Sequence, residues 1–207
     1  MNKDIMKRNM QIGLLLNEMC PKIIKKIVYK PNMLNVYIDS KDLINTLTIL
    51  QNNTMFQYKM LLDIVVVDCL NIEENKKGRF KLLYVLHSIY NNNRINIVTY
   101  LNNNEIIKTS SLNYSSAVWL EREIWDMYGI YFENHPDLRR ILTDYGFSWY
   151  PLRKDFPLTG YLEVYYDIND KKIIYKSIEL MQEFRNYEYG KSWGDFEQKT
   201  YIGQIIQ

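Results

Sequence analysis

The feature that most constrains this chain is a period-two alternation of apolar residues in three successive stretches. Phe56, Tyr58, Met60, Leu62, Ile64 and Val66 read as one face. Phe80, Leu82, Tyr84 and Leu86 repeat the pattern after the polar run NIEENKKGR, and Ile95 and Ile97 follow NNNR. Side chains alternate across a strand, so each stretch is predicted as a strand with one buried face. Short polar connections between consecutive strands favour an antiparallel meander.

The flanking sequence supplies the cover such a sheet needs. Residues from 5 to 20 read as a helix that stops before Pro21. KKIVYK and MLNVYID read as two strands joined at Pro31-Asn32, with Leu34, Val36 and Ile38 alternating. Ser40 is placed to cap a helix carrying Leu43, Leu47 and Leu50 on one face. A last helix runs through SLNYSSAVWLEREIWDMYG, where Ala117, Leu120, Ile124 and Tyr128 form an apolar stripe. There Arg122 and Asp126 are spaced as an i,i+4 pair, and Gly129 stands where a left-handed residue ends a helix. The expectation for residues 1–129 is an α+β domain, a mixed and largely antiparallel sheet with helices on one face.

Beyond that helix the character changes. Pro136, Pro151 and Pro157, with Gly146 and Gly160, leave no sustained helical period across residues 130–207. A hairpin is predicted within YLEVYYDINDKKIIYK, turning at Asn169-Asp170. The segment is nonetheless rich in Trp, Tyr, Phe and Arg, types that favour interface cores. An extended aromatic tail needs a surface to lie on, so 130–207 is expected to dock on a partner.

Composition removes several classes of function. The chain of 207 residues holds two cysteines, Cys20 and Cys69, and two histidines, His87 and His135. An iron–sulfur cluster takes about four thiolates and a structural zinc about four N/S ligands, so neither is available from this chain alone. A formal net charge of +2 is too small for a protein built chiefly to neutralise phosphates, so no nucleic acid is expected. The longest apolar run, MLLDIVVVDC, is interrupted by Asp63 and Asp68, well short of the roughly 20 residues of a membrane span. The N-terminal residues resemble neither a secretory signal nor an import presequence, and the chain is expected to be used from its first residue. Abundant Asn, Ile, Lys and Tyr share A/T-rich codons, which points to an A/T-rich genome such as an organelle's.

Glu121 and Glu123 in LEREIWD lie two apart on a helix, about 200° around the axis, so they cannot share one ligand. They read as a solvated or interfacial face. His135 with Asp137 and Asp144 could form a base with an orienting acid, but no Ser or Cys nucleophile stands nearby and Pro136 holds the segment extended. Arg139-Arg140 and Arg153-Lys154 could clamp phosphate, yet Asp137 and Asp155 neighbour them and no glycine-rich cradle occurs. Ion pairing and carbonyl capping inside a docked loop is the simpler expectation. No catalytic, cofactor-binding or metal-binding residue is predicted.

WLEREIWDMYGIYFENHPDLRRILTDYGF followed by PLRKDFPLTGYLEVYYD is similar, in order and spacing, to the thirty-kilodalton, C-type subunit family of respiratory complex I. Weaker likeness extends through LLDIVVVD and RFKLLYVLHSI upstream and IELMQEFRNYEY downstream. The resemblance implies a structural subunit of NADH:ubiquinone oxidoreductase without a redox centre. FMN, iron–sulfur clusters and ubiquinone would belong to the rest of the complex. It implies docking on the forty-nine-kilodalton subunit and neighbouring iron–sulfur subunits, on the matrix side of the mitochondrial inner membrane, membrane-associated only through the complex. A hydrogenase-type membrane complex with a corresponding scaffold subunit is the alternative. The motif residues Glu121, Arg122, Glu123, Asp126, His135, Asp137, Arg139, Arg140, Arg153, Lys154 and Asp155 are then expected to form interface or structural ion pairs. One departure stands out: Trp149 and Tyr150 replace a Gly-His that usually precedes Pro-Leu-Arg-Lys-Asp-Phe-Pro, and their rings are expected to fill a space.

Overall fold

The computed structural model describes residues 3–30, 33–70, 78–182 and 184–185. Helix α1 (Lys3–Met19) precedes strands β1 (Ile24–Lys30) and β2 (Met33–Ile38). A single 3-10 turn (Ser40–Asp42) leads into α2 (Leu43–Asn52). The meander follows as β3 (Met60–Asp68), β4 (Phe80–Ser88) and β5 (Asn93–Leu101). Short strands β6 (Ile107–Lys108) and β7 (Phe132–Glu133) flank α3 (Ala117–Tyr128), and β8 (Leu162–Asp167) and β9 (Lys172–Ser177) come last.

The main sheet has the order β1-β2-β5-β4-β3. Every neighbouring pair is antiparallel except β2 and β5, which run parallel with Leu34 opposite Ile95 and Val36 opposite Ile97. This is the mixed, largely antiparallel α+β fold that the alternation predicts. Strand β4 alternates without a break, burying Phe80, Leu82, Tyr84 and Leu86. Their neighbours Ile95 and Ile97, and Leu43, Leu47 and Leu50 of α2, complete the same core with Leu16 of α1 and Ala117 and Ile124 of α3. All three described α-helices therefore cover one face of the sheet.

Two local expectations fail, each for a physical reason. Met60 and Leu62 are exposed, whereas Leu61 is buried. The register against β4 shifts between Leu61 and Asp63. A bulge inserts one residue and reverses the phase, so the pattern before it cannot be continued from the pattern after it. Ser40 does not cap α2, which starts after Asp42 without a side-chain cap. The Ser40 hydroxyl instead donates to Glu105 Oε1 at 2.8 Å.

The described residues up to Arg153 form one compact unit with the sheet, and the described residues from Lys154 a second. In the second, β8 and β9 pair as an antiparallel hairpin around residues 168–171, with Val164 opposite Tyr175 and Tyr166 opposite Ile173. One face of the ladder carries Leu162, Val164, Tyr166, Ile173 and Tyr175, all exposed. The other carries Glu163 opposite Lys176 and Asp167 opposite Lys172, with Tyr165 opposite Ile174 between them. No described helix is long and apolar enough to cross a membrane.

Candidate functional site

Helix α3 organises the charged motif, and it does so from its buried side. Glu121 and Asp126 are fully buried and Arg122 nearly so, which corrects the reading of Glu121 as part of a solvated face. Glu123 does remain exposed. Nor do Arg122 and Asp126 pair with each other along the helix. Each reaches across to the segment that follows it.

Asp126 is the hub. Its Oδ2 accepts three consecutive backbone N–H groups, from Ile141 at 3.1 Å, Leu142 at 2.6 Å and Thr143 at 3.0 Å. Its Oδ1 accepts the Thr143 hydroxyl at 2.5 Å and Arg140 Nη1 at 2.8 Å. Burial alone would push this carboxyl up. The donors from Thr143, Leu142 and Arg140 prevail and hold it well below the usual carboxylate range. Charge-assisted bonds of this kind are the strong ones, and here five of them fold one loop around one side chain.

Arg140 also donates to the Trp149 carbonyl at 2.9 Å and lies over the Tyr150 ring at 5.0 Å. Arg153 Nε caps the Tyr128 carbonyl at the end of α3, at 2.6 Å, with its guanidinium 4.6 Å from the same ring. A cation at a helix C-terminus meets the negative end of the helix dipole. Tyr150 thus lies beside two guanidinium groups and packs edge-on against Trp125. Gly129, at φ +72, makes room for this: a Cβ there would stand 2.5 Å from the Tyr150 ring. Trp149 is half-buried, edge-on to Phe147. Arg122 donates to the Arg139 carbonyl at 3.1 Å and stacks over Trp119.

Glu121 forms a second buried node. Its Oε1 accepts the Ser110 backbone N–H and hydroxyl, both at 2.7 Å, and its Oε2 accepts the Thr109 hydroxyl at 2.5 Å. Burial raises its pKa, partly offset by these donors and by nearby His135. His135 Nδ1 accepts the Asp137 N–H at 3.1 Å, so Nε2 carries the proton and donates to the Val118 carbonyl at 3.1 Å. The Asp137 carboxylate accepts Arg139 Nε at 2.9 Å in an exposed pair and does not orient the imidazole. Both ring nitrogens are therefore engaged with backbone, and the base-with-orienter arrangement is not formed. Asp144, Lys154 and Asp155 are exposed, the last two in the second unit. Among the described residues no three His, Cys, Asp or Glu side chains converge as a metal-binding group.

Nothing local in the sequence marks Thr109, Ser110 and Thr143 as members of these nodes, because their partners on α3 lie well away along the chain. Tyr150, whose ring is expected from the sequence to fill a space, does so beside Arg140 and Arg153. The outward side of that loop presents Leu142, 61 % exposed, and Tyr145, 97 % exposed.

Residues 36–162 match the family described as respiratory-chain NADH dehydrogenase, 30 Kd subunit. NADH-ubiquinone oxidoreductase subunit 9 of Dictyostelium discoideum is 60% identical over 205 residues, covering 99% of this chain and 98% of that one. The mitochondrial NADH dehydrogenase [ubiquinone] iron-sulfur protein 3 of Candida albicans is 41% identical over 172 residues, 83% of this chain and 60% of that one. Among solved structures, a chain of the archaeal membrane-bound sulfane sulfur reductase shares the fold, at 23% identity and TM-score 0.61 over 73% of this chain and 86% of that one. The chain belongs to the 30 kDa subunit family of the respiratory-chain NADH dehydrogenase, and is a peripheral-arm subunit of NADH:ubiquinone oxidoreductase, complex I.

Proposed function

We propose that this subunit is a scaffold without a redox centre of its own, and that the loop folded around Asp126 is its docking surface. The observation that carries this reading is the five-donor shell of Asp126, which holds residues 140–143 in one shape while Leu142 faces outward. A pre-shaped loop loses little conformational entropy on binding, and that is how a docking element gains affinity. In this reading Glu121, Arg122, Asp126, His135, Arg140 and Arg153 shape the surface from within. Glu123, Asp137 and Arg139 lie on its outside and meet partners directly, and Lys154 and Asp155 are proposed to do so from the second unit.

The partners proposed are the forty-nine-kilodalton subunit and the neighbouring iron–sulfur subunits, held by the loop and by the segment 130–207. The exposed apolar face of the β8–β9 hairpin supports this, because an isolated two-stranded hairpin is marginal in water until such a face is covered. Two cysteines fall short of the roughly four thiolates of a cluster, so the iron–sulfur clusters are assigned to other subunits, and FMN and ubiquinone are proposed to lie there too on the family resemblance alone. The location proposed is the matrix side of the mitochondrial inner membrane, with the gene in the mitochondrial genome. Mitochondrial relatives and the bias towards A/T-rich codons support it. The identity to NADH-ubiquinone oxidoreductase subunits outweighs the hydrogenase-type alternative, for which the archaeal likeness is one of fold alone.

Replacing Arg140 by Ala tests the scaffold role. The expected result is less assembled complex, with turnover per assembled complex unchanged. Normal assembly with abolished turnover contradicts the reading. Mass spectrometry of copurifying chains identifies the neighbours.

A further inference from the structure

The helices cover one face of the main sheet, and the opposite face has its own pattern. Across the middle of that opposite face the register aligns Val65, Leu83, Val98 and Tyr37 in one row spanning four strands. Val98 is buried at 0 %, with the Tyr37 ring stacked on that of Tyr100, while Val65 is 39 % and Val67 41 % exposed. Around this apolar row the same face carries Lys26, Lys30, Lys81 and Arg94, against the single carboxylate of Asp63. None of the four cations is in an ion pair among the described residues.

The two edges of the sheet differ in the same sense. Edge strand β1 holds Lys25, Lys26 and Lys30, the usual means of discouraging an added strand. Edge strand β3 has no lysine over its nine residues and exposes Leu62, Val65 and Val67. The bulge at Leu61–Asp63 blunts the start of this edge, but beyond it Val65 and Val67 leave an apolar stretch of the kind that marks an interaction site.

We infer that the helix-free face, from the β3 edge inward, is a second interface of this subunit. Its occupant is another subunit of complex I that presents apolar side chains fringed with carboxylates. Charge complementarity selects that occupant. A second copy of this chain would set four cations against four, and a nucleic acid would leave the apolar row uncovered. The inference rests on the chain acting within the assembled complex, but it uses none of the residues of the Asp126 loop.

The test is photo-crosslinking in the assembled complex, with benzoylphenylalanine placed at Val65 or Val67, and separately at Leu142 to report on the loop. Adducts from Val65 and Val67 to another subunit, on a peptide mixing apolar residues with Asp or Glu, support the interface. Adducts confined to this chain, adducts to a second copy, or no adduct at these two positions overturn it. Silence at Leu142 counts separately, against the docking loop. A charge reversal supplies the second measure. Lys81→Glu with Arg94→Glu is expected to lower retention of the subunit in a high-salt wash several-fold, and Lys7→Glu on the exposed side of α1 to leave it unchanged. Equal retention of all three overturns the inference as well.

Discussion

The loop of residues 139–153 and the hairpin of residues 162–177 share aromatic residues, mixed charge and the lack of a helical period, although proline and glycine occur only in the loop. Their order comes from different sources. The loop is gathered by one buried carboxylate and two arginines, which bond the backbone of Ile141, Leu142, Thr143 and Trp149 and the end of α3. The hairpin has its ladder hydrogen bonds and solvent-exposed ion pairs such as Lys172–Asp170. Exposed pairs of this kind contribute about 0–1 kcal/mol. Removing one partner from a buried ionic node costs about 3–5 kcal/mol. Two aromatic, mixed-charge segments can thus differ widely in the energy that shapes them.

Asp126→Ala is where this contrast should show most. It leaves Arg140 and three backbone N–H groups without their acceptor, so a loss of about 3–5 kcal/mol is expected in denaturant unfolding. Amide exchange at residues 141–143 should accelerate in the same variant while the β8–β9 ladder exchanges as before. If the hairpin loosens equally, the two regions are not energetically separate.

Gly129→Ala comes next. It places a Cβ in a left-handed position and against the Tyr150 ring, and about 2–4 kcal/mol of destabilisation is expected. Thermal unfolding measures it, and a neutral result would mean that Tyr150 moves aside freely.

The two buried carboxylates should respond to pH in opposite directions. The Asp126 pKa is lowered on folding, so its stabilisation is present above the unfolded value of about 3.9 and is lost as pH falls through the folded value. The Glu121 pKa is raised, so its contribution is complete below about 4.3 and is lost as pH rises through the folded value. Glu121→Gln should therefore flatten the decline of stability on the upper side, and Asp126→Asn the decline on the acid side. Unfolding midpoints measured from about pH 1.5 to 8, read as about one-unit steps, decide it. The smallest effect is expected from Lys172→Ala in the hairpin, within about 0.5 kcal/mol.

The alternation made strands β4 and β5 legible, and the helical stripe made α3 legible, because both signals are local. What the sequence did not reveal was non-local or phase-dependent. A bulge between Leu61 and Asp63 exposed Met60 and Leu62 and buried Leu61. The spacing of Arg122 and Asp126 suggested a bond along the helix, yet both side chains serve a loop that returns from further along the chain. Glu121 looked solvated because its buried partners, Thr109 and Ser110, precede the helix and carry no charge. The motif residues were recognisable as a group, but which atoms they hold was not.

The parallel pairing of β2 with β5 has a consequence in time. A polypeptide is made from its N-terminus, and β2 is complete before α2, β3 and β4 exist. Its inner edge has no partner until β5 has left the ribosome, so the β1–β2 pair must wait half-covered through that interval. Closing so long a loop is what slows folding in sheets of this connectivity. During synthesis, the β2 edge is the place where a chaperone has most to protect.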